Sequence, residues 1–288
     1  MGIFIITILG LFLRLLFINK AEGLWNDEYI SWFIASQPLT NGFIEGIKSQ
    51  CHMPFYYLYL KFFMTIFGQS DTILRLTSVI AGTLSIPVMY FAGMENSKKT
   101  AILAGTFTAL SSFLIYYSQE VRIYSVLFLF SALSLLFTLK ILKTPDLKNF
   151  MGLIISNALI LLTHTIGFVY VFFNILLVSL FLFKKFKKGI IAVWSAIAVT
   201  IIALTPLIIK IFTTDSFSQW WDKFTPAKFG FLMTDYFSPV LTNLVSSPAK
   251  FFYNPTPEFL IFALVPTIIA GYWIIKAVIK NKINTALL

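Results

Sequence analysis

The sequence predicts an all-α fold, a polytopic membrane helical bundle of about eight spans. Of the 288 residues, 58% are hydrophobic and 12% are charged, and the mean hydropathy is +0.85. Soluble domains are roughly 45–50% apolar and about 25% charged, so this chain lacks the polar residues that would cover a soluble surface. Apolar runs that can cross a bilayer recur along the chain, and lysines cluster between them. With a single cysteine, no internal disulfide framework can form.

Six apolar runs are long enough to span a hydrocarbon core of ~30 Å. They lie at 2–18, 72–93, 100–117, 123–142, 189–209 and 258–275. The stretch 150–183 would measure about 51 Å as one helix, so we predict two shorter helices that turn near Thr163, His164 and Thr165. The first run lacks a basic n-region and a clear cleavage site, which indicates a retained anchor.

The distribution of the net charge of +10 predicts the orientation of the chain. With two helices in 150–183, the lysine clusters fall on one side of the membrane, in segments with twelve basic and two acidic residues. The segments on the other side contain nine basic and ten acidic residues. The positive-inside rule then predicts a multi-pass protein of the plasma (inner) membrane with both termini cytoplasmic. Basic clusters separated by spans do not form the basic face of a nucleic-acid-binding protein, so no nucleic-acid partner is predicted.

Within a single membrane domain, 1–288, two outer segments are long enough to carry function, 19–71 and 210–257. The second half of the first outer loop, 54–67, is aromatic and apolar, with Lys61 embedded in it. As a helix it would measure about 21 Å, too short for a comfortable span. Its tyrosines and phenylalanines favour a helix that lies in the membrane interface. We therefore predict a long first outer loop that carries interfacial helices.

Asp27 and Glu28 are paired carboxylates that follow the first span. They fit a solvated loop start or a helix N-cap. They also fit a general base, since a carboxylate can accept the proton of an attacking hydroxyl group.

The outer turn 118–124 is a second candidate, because a short membrane turn needs only a few small polar residues. This turn contains Glu120, Arg122 and Tyr124. The two charges fit a structural ion pair at the lipid boundary. Alternatively, Arg122 binds a phosphate, for which a guanidinium offers a planar set of donors.

His52 begins the predicted interfacial helix and His164 lies at the predicted hairpin turn. Each fits a cap or surface group, and each also fits a phosphate contact. For Arg75, near the outer end of the second span, we predict snorkelling to the headgroups, with buried pairing as the alternative. The sequence contains no Walker loop, no GxGxxG and no zinc-ligand spacing. We assign no metal ligand and no cofactor, and the sequence leaves open whether a divalent metal takes part.

Four sequence motifs follow the first span in a fixed order: WNDE, HMPFYYLYLKFF, LRLTSVIAG and YYSQEVRIYS. In this order they resemble the membrane glycosyltransferases of the C superfamily, in the branch of protein mannosyltransferases, aminoarabinose transferases and lipopolysaccharide-core glycosyltransferases. The resemblance is clear over 10–125 and fades through 210. Those relatives are usually longer, so we expect a short or truncated member. Met53 stands where many of them have a second proline.

The resemblance implies an inverting transfer of a sugar from a polyprenyl-phosphate carrier to a glycan, lipid or protein acceptor at the outer face of the membrane. By the same resemblance, Asp27 is the catalytic base with Glu28 beside it. His52 corresponds to the family's basic position before the proline motif. Arg122 corresponds to the phosphate-binding arginine, and Glu120, its acidic neighbour, completes the predicted catalytic set with Asp27 and Glu28.

Tyr124 and His164 complete the predicted substrate-binding set. Two other classes of protein are alternatives to a glycosyltransferase. A transporter or lipid flippase would place charged groups near the bilayer midplane or show repeated halves, whereas here the acidic residues gather at one face. A non-catalytic, truncated relative is the remaining alternative.

Overall fold

The structure, a computed structural model, describes residues 2–16, 18–19, 23–50 and 52–213. The predicted eighth span and nearly all of the predicted second outer loop lie outside the described residues. The chain divides into two compact units, Met1–Leu110 with Leu114–Trp220 and Ser111–Phe113 with Trp221–Leu288. The helix contacts described below lie within the first unit.

The described part of the chain contains eleven helices and no β-strand, which confirms the predicted all-α class. The helices are α1 Gly2–Leu15, α2 Asn26–Ser36, α3 Asn41–Ser49, α4 Phe55–Phe67, α5 Asp71–Met94, α6 Lys98–Leu110, α7 Ser112–Ser118, α8 Tyr124–Lys143, α9 Leu147–Thr163, α10 Gly167–Leu182 and α11 Lys187–Phe212.

Three of these helices, α5, α8 and α11, are long and apolar enough to cross a membrane. A fourth span results if α6 and α7, which are bent by 53° at their junction, are taken together. The helices α1, α9 and α10 are apolar but shorter. The predicted total of about eight spans is higher than these three or four, and it stays a prediction.

Two local predictions agree with the structure. Helix α9 ends at Thr163 and α10 begins at Gly167, so the stretch 150–183 is two helices rather than one. The turn is closed by the Ile166 N–H, which donates to His164 Nδ1 at 3.1 Å. The segment 54–67 forms the 13-residue helix α4, as predicted, and its position in the membrane interface stays a prediction. Helix α4 ends at Phe67 and is followed by Gly68, whose φ of +94° is a conformation that glycine adopts readily.

Helix α5 lies at the centre of the packing, in contact with α1, α4, α6 and α8. Small residues allow the closest approach, as TM-type helix interfaces require. A Cβ atom at Gly93 would lie 2.6 Å from Ala101 Cα on α6, so the two backbones touch there. Helix α9 then packs against α8, α10 and α11 and extends the bundle.

A seam of polar side chains joins α8, α9 and α10 inside the apolar bundle. Ser134 Oγ donates to Asn157 Oδ1 at 2.7 Å, and Asn174 Nδ2 donates to Thr138 Oγ1 at 2.8 Å. Polar groups in an apolar interior need such partners. The seam therefore fixes the short α9–α10 hairpin against α8.

The two ends of the bundle differ in the groups they carry. At one end, Lys143, the last residue of α8, pairs with Glu95, which follows α5, at 3.5 Å. At the other end, the α2 start, the α5 start, the turn 119–123 and the α9–α10 turn come together. All seven predicted site residues lie at this second end.

Candidate functional site

The carboxylate of Glu28, in the first turn of α2, is 1% exposed and accepts four hydrogen bonds. Arg75 Nε and Val121 N donate to Oε1 at 3.0 and 2.9 Å. Arg75 Nη2 and Trp25 N donate to Oε2 at 2.8 and 3.3 Å. The bond from Trp25 N is the N-terminal capping contact expected of a carboxylate three residues into a helix. One carboxylate thus joins α2, α5 and the turn 119–123.

The structure corrects the prediction that Arg75 snorkels to the headgroups. Arg75 is 4% exposed, and besides Glu28 its guanidinium donates to Ile18 O at 3.2 Å and Gly23 O at 2.9 Å. Gly23 has a φ of +76°, which a residue without Cβ adopts readily. The buried pairing that the sequence left as an alternative is what occurs, because a carboxylate lies within reach.

Arg122 faces Asp27 across the site. Arg122 Nη2 lies 3.4 Å from Asp27 Oδ2, and Arg122 Nη1 donates to the Asp27 backbone carbonyl at 3.2 Å. The arginine side chain is 3% exposed, whereas that of Asp27 is 28% exposed. The site therefore presents a carboxylate to its surroundings with a buried cation behind it.

The buried Nε atom of Arg122 has no hydrogen-bond partner among the described residues. The Tyr124 ring lies under the guanidinium, with its centroid 5.7 Å from Arg122 Cζ. A buried donor without an acceptor costs free energy, and one explanation is that a ligand supplies the acceptor. The guanidinium is thus only partly occupied by protein groups.

The two histidines of the described chain lie together. Their rings are 4.9 Å apart between centroids, and an isolated antiparallel bridge joins the two backbones. His52 Nδ1 hydrogen bonds the Tyr57 hydroxyl at 2.7 Å. The pair links the start of α4 to the α9–α10 turn, which brings two distant predicted site residues to one place.

Both imidazoles are held in the neutral form. Burial lowers the pKa of His52 well below its ordinary value, and the nearby His164 and Arg122 lower it further. Burial and then Arg122 lower the pKa of His164 to about 4. At pH 7 the pair therefore contributes hydrogen-bonding groups but no charge, and the positive charge beside it is that of Arg122.

Glu120 is 8% exposed and precedes the two turn residues that contact Glu28 and Asp27. Its carboxylate interacts with the Tyr116 side chain and lies near Arg75. Its backbone carbonyl accepts from Arg122 N at 2.8 Å, which tightens the turn. In the described part of the chain, no group of three or more His, Cys, Asp or Glu side chains is placed to hold a metal ion.

An apolar helical bundle with ionisable side chains gathered at one end is typical of a membrane protein that has its functional site there. The sequence model of the dolichyl-phosphate-mannose-protein mannosyltransferase family matches residues 51–209, more than half of the chain. The chain belongs to this family, and the resemblance to glycosyltransferases of the C superfamily is confirmed. The match includes His52, Arg122 and His164, whereas Asp27 and Glu28 precede it. Searches of curated proteins and of solved structures find no match.

The Glu28–Arg75 pair gives a prediction about stability. Glu28→Gln leaves a buried guanidinium without its counter-charge, which typically costs about 3–5 kcal/mol. We expect a large fall in the midpoint of thermal denaturation of the detergent-purified protein. The matched control is Glu45→Gln, which removes an exposed pair with Lys48 at 3.1 Å and should cost at most about 1 kcal/mol. Equal midpoints for the two variants would show that the buried pair does not hold the site together.

Proposed function

We propose that this protein transfers a sugar from a polyprenyl-phosphate carrier to an acceptor hydroxyl at the outer face of the membrane, with inversion at the anomeric carbon. The observation that carries the proposal is the Asp27–Arg122 pair, which puts a partly exposed carboxylate next to a buried, partly unoccupied guanidinium. The family supports a membrane glycosyltransferase. Mannose is the first sugar to test, since the family is named for it.

In this proposal Asp27 is the general base. An acceptor hydroxyl becomes a better nucleophile as its proton passes to a carboxylate. Asp27 is the more exposed of the two paired carboxylates, and an acceptor can reach it. The sequence predicts Glu28 beside it as a catalytic group, but each of the two Glu28 carboxylate oxygens already accepts two hydrogen bonds. We therefore assign Glu28 to positioning.

Arg122 is proposed to bind the donor phosphate. A polyprenyl phosphate leaves with its negative charge already accommodated on oxygen, so the step needs charge stabilisation rather than an acid. The planar guanidinium can offer its free Nε and an Nη to two phosphate oxygens. Tyr124 beneath it and the neutral His52–His164 pair nearby are the proposed polar contacts for the donor head group.

In this proposal, Glu120 shapes the turn that contains Arg122. Its carboxylate is buried next to Tyr116, so an acceptor reaches Asp27 more readily. Arg122 then serves two partners, because the donor phosphate and Asp27 both attract it. While the donor phosphate is bound, Arg122 is shared between two anions and holds Asp27 less tightly when the acceptor arrives.

Asp27→Asn tests the base and this competition together. The amide keeps the shape but cannot accept the proton, and general-base catalysis is worth roughly 10²–10⁴-fold. We expect transfer of radiolabelled mannose from a synthetic polyprenyl-phosphate mannose to fall at least about a hundredfold. We also expect tighter donor binding, because Asn no longer competes for Arg122. Glu45→Gln is the control for loss of an acid from the same loop. Near-normal turnover would assign the base to Glu28 or Glu120, and unchanged donor affinity would contradict the competition.

Arg122 variants test phosphate recognition. Arg122→Lys keeps the charge but loses the bidentate geometry, and Arg122→Ala loses both. We expect kcat to fall and donor Kd to rise in the order wild type, Lys, Ala, because the phosphate is held more tightly as it departs. Steady-state transfer and binding of the polyprenyl phosphate alone measure the two effects. Wild-type kcat and donor Kd in Arg122→Lys would instead indicate that Arg122 serves only as the ion-pair partner of Asp27.

The proposed orientation has both termini cytoplasmic, about eight spans and the site facing outside. In support, the α9–α10 turn and the turn 119–123 lie at the same end of the bundle, as two crossings in 150–183 require. In a Cys51→Ser background, a cysteine at Lys187 should react with a membrane-impermeant thiol reagent only from the cytoplasm. A cysteine at Glu45 should react only from outside. Reaction of both from one side would contradict the topology and the shared outer face.

A further inference from the structure

Arg14 is an arginine buried inside the apolar helix α1, near its C-terminal end. It is 0% exposed, and within the described residues no ion pair includes it. A charged side chain at this depth in a membrane protein is costly and needs specific partners. Arg14 has four acceptors: the Ser118 hydroxyl, the Gly10 carbonyl of its own helix, and the Thr108 and Ala109 carbonyls at a helix break.

The guanidinium caps the C-terminus of α6. Its Nη2 donates to Thr108 O at 2.9 Å and its Nη1 to Ala109 O at 3.2 Å. These carbonyls belong to the last turn of α6, where the helix ends before the 53° bend and leaves its final carbonyls without intrahelical donors. The negative end of the α6 dipole also stabilises the positive charge. Arg14 Nε donates in addition to Ser118 Oγ at 3.2 Å, on the far side of the bend.

Gln119 makes the reciprocal contact. Its side-chain amide donates to three carbonyls at the end of α1, those of Leu13, Arg14 and Leu16, at 3.3, 3.1 and 2.6 Å. Arg14 on α1 thus caps α6, and Gln119 in the turn 119–123 caps α1. Gly82 on α5 leaves room for this contact, since a Cβ atom there would collide with Ser118 and lie 3.1 Å from Arg14 Nε.

This reciprocal contact lies three residues before Arg122 in the chain. Gln119 fixes one end of the turn to α1, and Val121 N fixes the other to Glu28 at 2.9 Å. Ser78 Oγ on α5 also donates to Arg122 O at 3.3 Å. The backbone of Arg122 therefore has little freedom as long as Gln119 and Ser118 stay in place.

We propose that Arg14 and Gln119 form a clamp that positions Arg122 for the donor phosphate. This inference rests on the proposed function, because it names the residues that place its phosphate-binding group. Arg14 does not touch the substrate, and it acts through Ser118, Gln119 and the turn that follows. A shift of about 1 Å at a reacting group can lower the reaction rate about a hundredfold. The loss of a remote clamp should therefore have a measurable effect at the site.

The test compares binding of polyprenyl phosphate to the intact, detergent-purified protein in four forms: wild type, Arg14→Met, Gln119→Ala and the double variant. Methionine fills the apolar space without donors. We expect each single variant to bind the phosphate about ten- to a hundredfold more weakly per folded molecule. Since both residues serve one contact, the double variant should be little worse than either single one. The acceptor KM should stay near that of wild type.

A structural role alone would give another result. It would lower the yield of folded protein and leave the phosphate Kd and the acceptor KM of the folded fraction unchanged. Additive losses in the double variant would also refute the clamp. Arg14→Lys keeps the charge and should restore part of the affinity, because an ammonium reaches fewer of the four acceptors at once.

Gly82→Ala provides a second variant that disturbs the clamp from α5 and leaves Arg14 and Gln119 in the sequence. We expect it to weaken phosphate binding as Arg14→Met does, whereas Gly42→Ala, whose Cβ would lie 3.7 Å from Gln37 Oε1, should have no effect. If wild type and Arg122→Ala bind the phosphate equally, the proposed function itself fails. If only Arg122→Ala loses binding, and the Arg14 and Gly82 variants keep it, the clamp alone fails.

Discussion

The site depends on one buried carboxylate. Glu28 is enclosed in an apolar bundle, so its charge must be satisfied by protein donors, and each of its oxygens accepts two hydrogen bonds. These donors come from α5, from the N-cap of α2 and from the turn 119–123. Asp27 directly precedes Glu28, and Arg122 directly follows the donor Val121. The Asp27 and Arg122 side chains face each other at 3.4 Å. The Asp27–Arg122 pair that we propose for chemistry is thus positioned by the buried contact beside it.

Among the described residues, the buried cationic side chains at this end of the bundle are arginines. Arg14 and Arg75 donate to backbone carbonyls that a helix end or a turn leaves free, and Arg122 donates to the Asp27 carbonyl in the first turn of α2. A guanidinium has five donors in a rigid fork, so one side chain can satisfy carbonyls and a carboxylate together. Burial of these charges therefore fixes chain segments that no regular helix hydrogen bond would hold.

Much of the fold follows from the sequence, and less of the site does. Hydropathy and the length of 150–183 predicted the helical bundle and its hairpin, because apolar runs and helix rise are local properties. The seven predicted site residues meet at one end. The partners were not predictable: Arg75 was assigned to headgroups, and Arg14 and Gln119 were not singled out at all. Pairing across about fifty or a hundred residues depends on tertiary packing, although an arginine inside an apolar run was a usable signal for Arg14.

The short hairpin of α9 and α10 has a consequence for the membrane around it. With 17 and 16 residues, each helix is only about 24–26 Å long at 1.5 Å per residue, against a hydrocarbon core of ~30 Å. In the proposed topology, this hydrophobic mismatch is relieved by thinning of the bilayer or by a turn that lies below the headgroups. Either way water comes closer to the level of His164. Under the proposed function, the lipid-linked donor can then reach the acceptor without being lifted out of its leaflet.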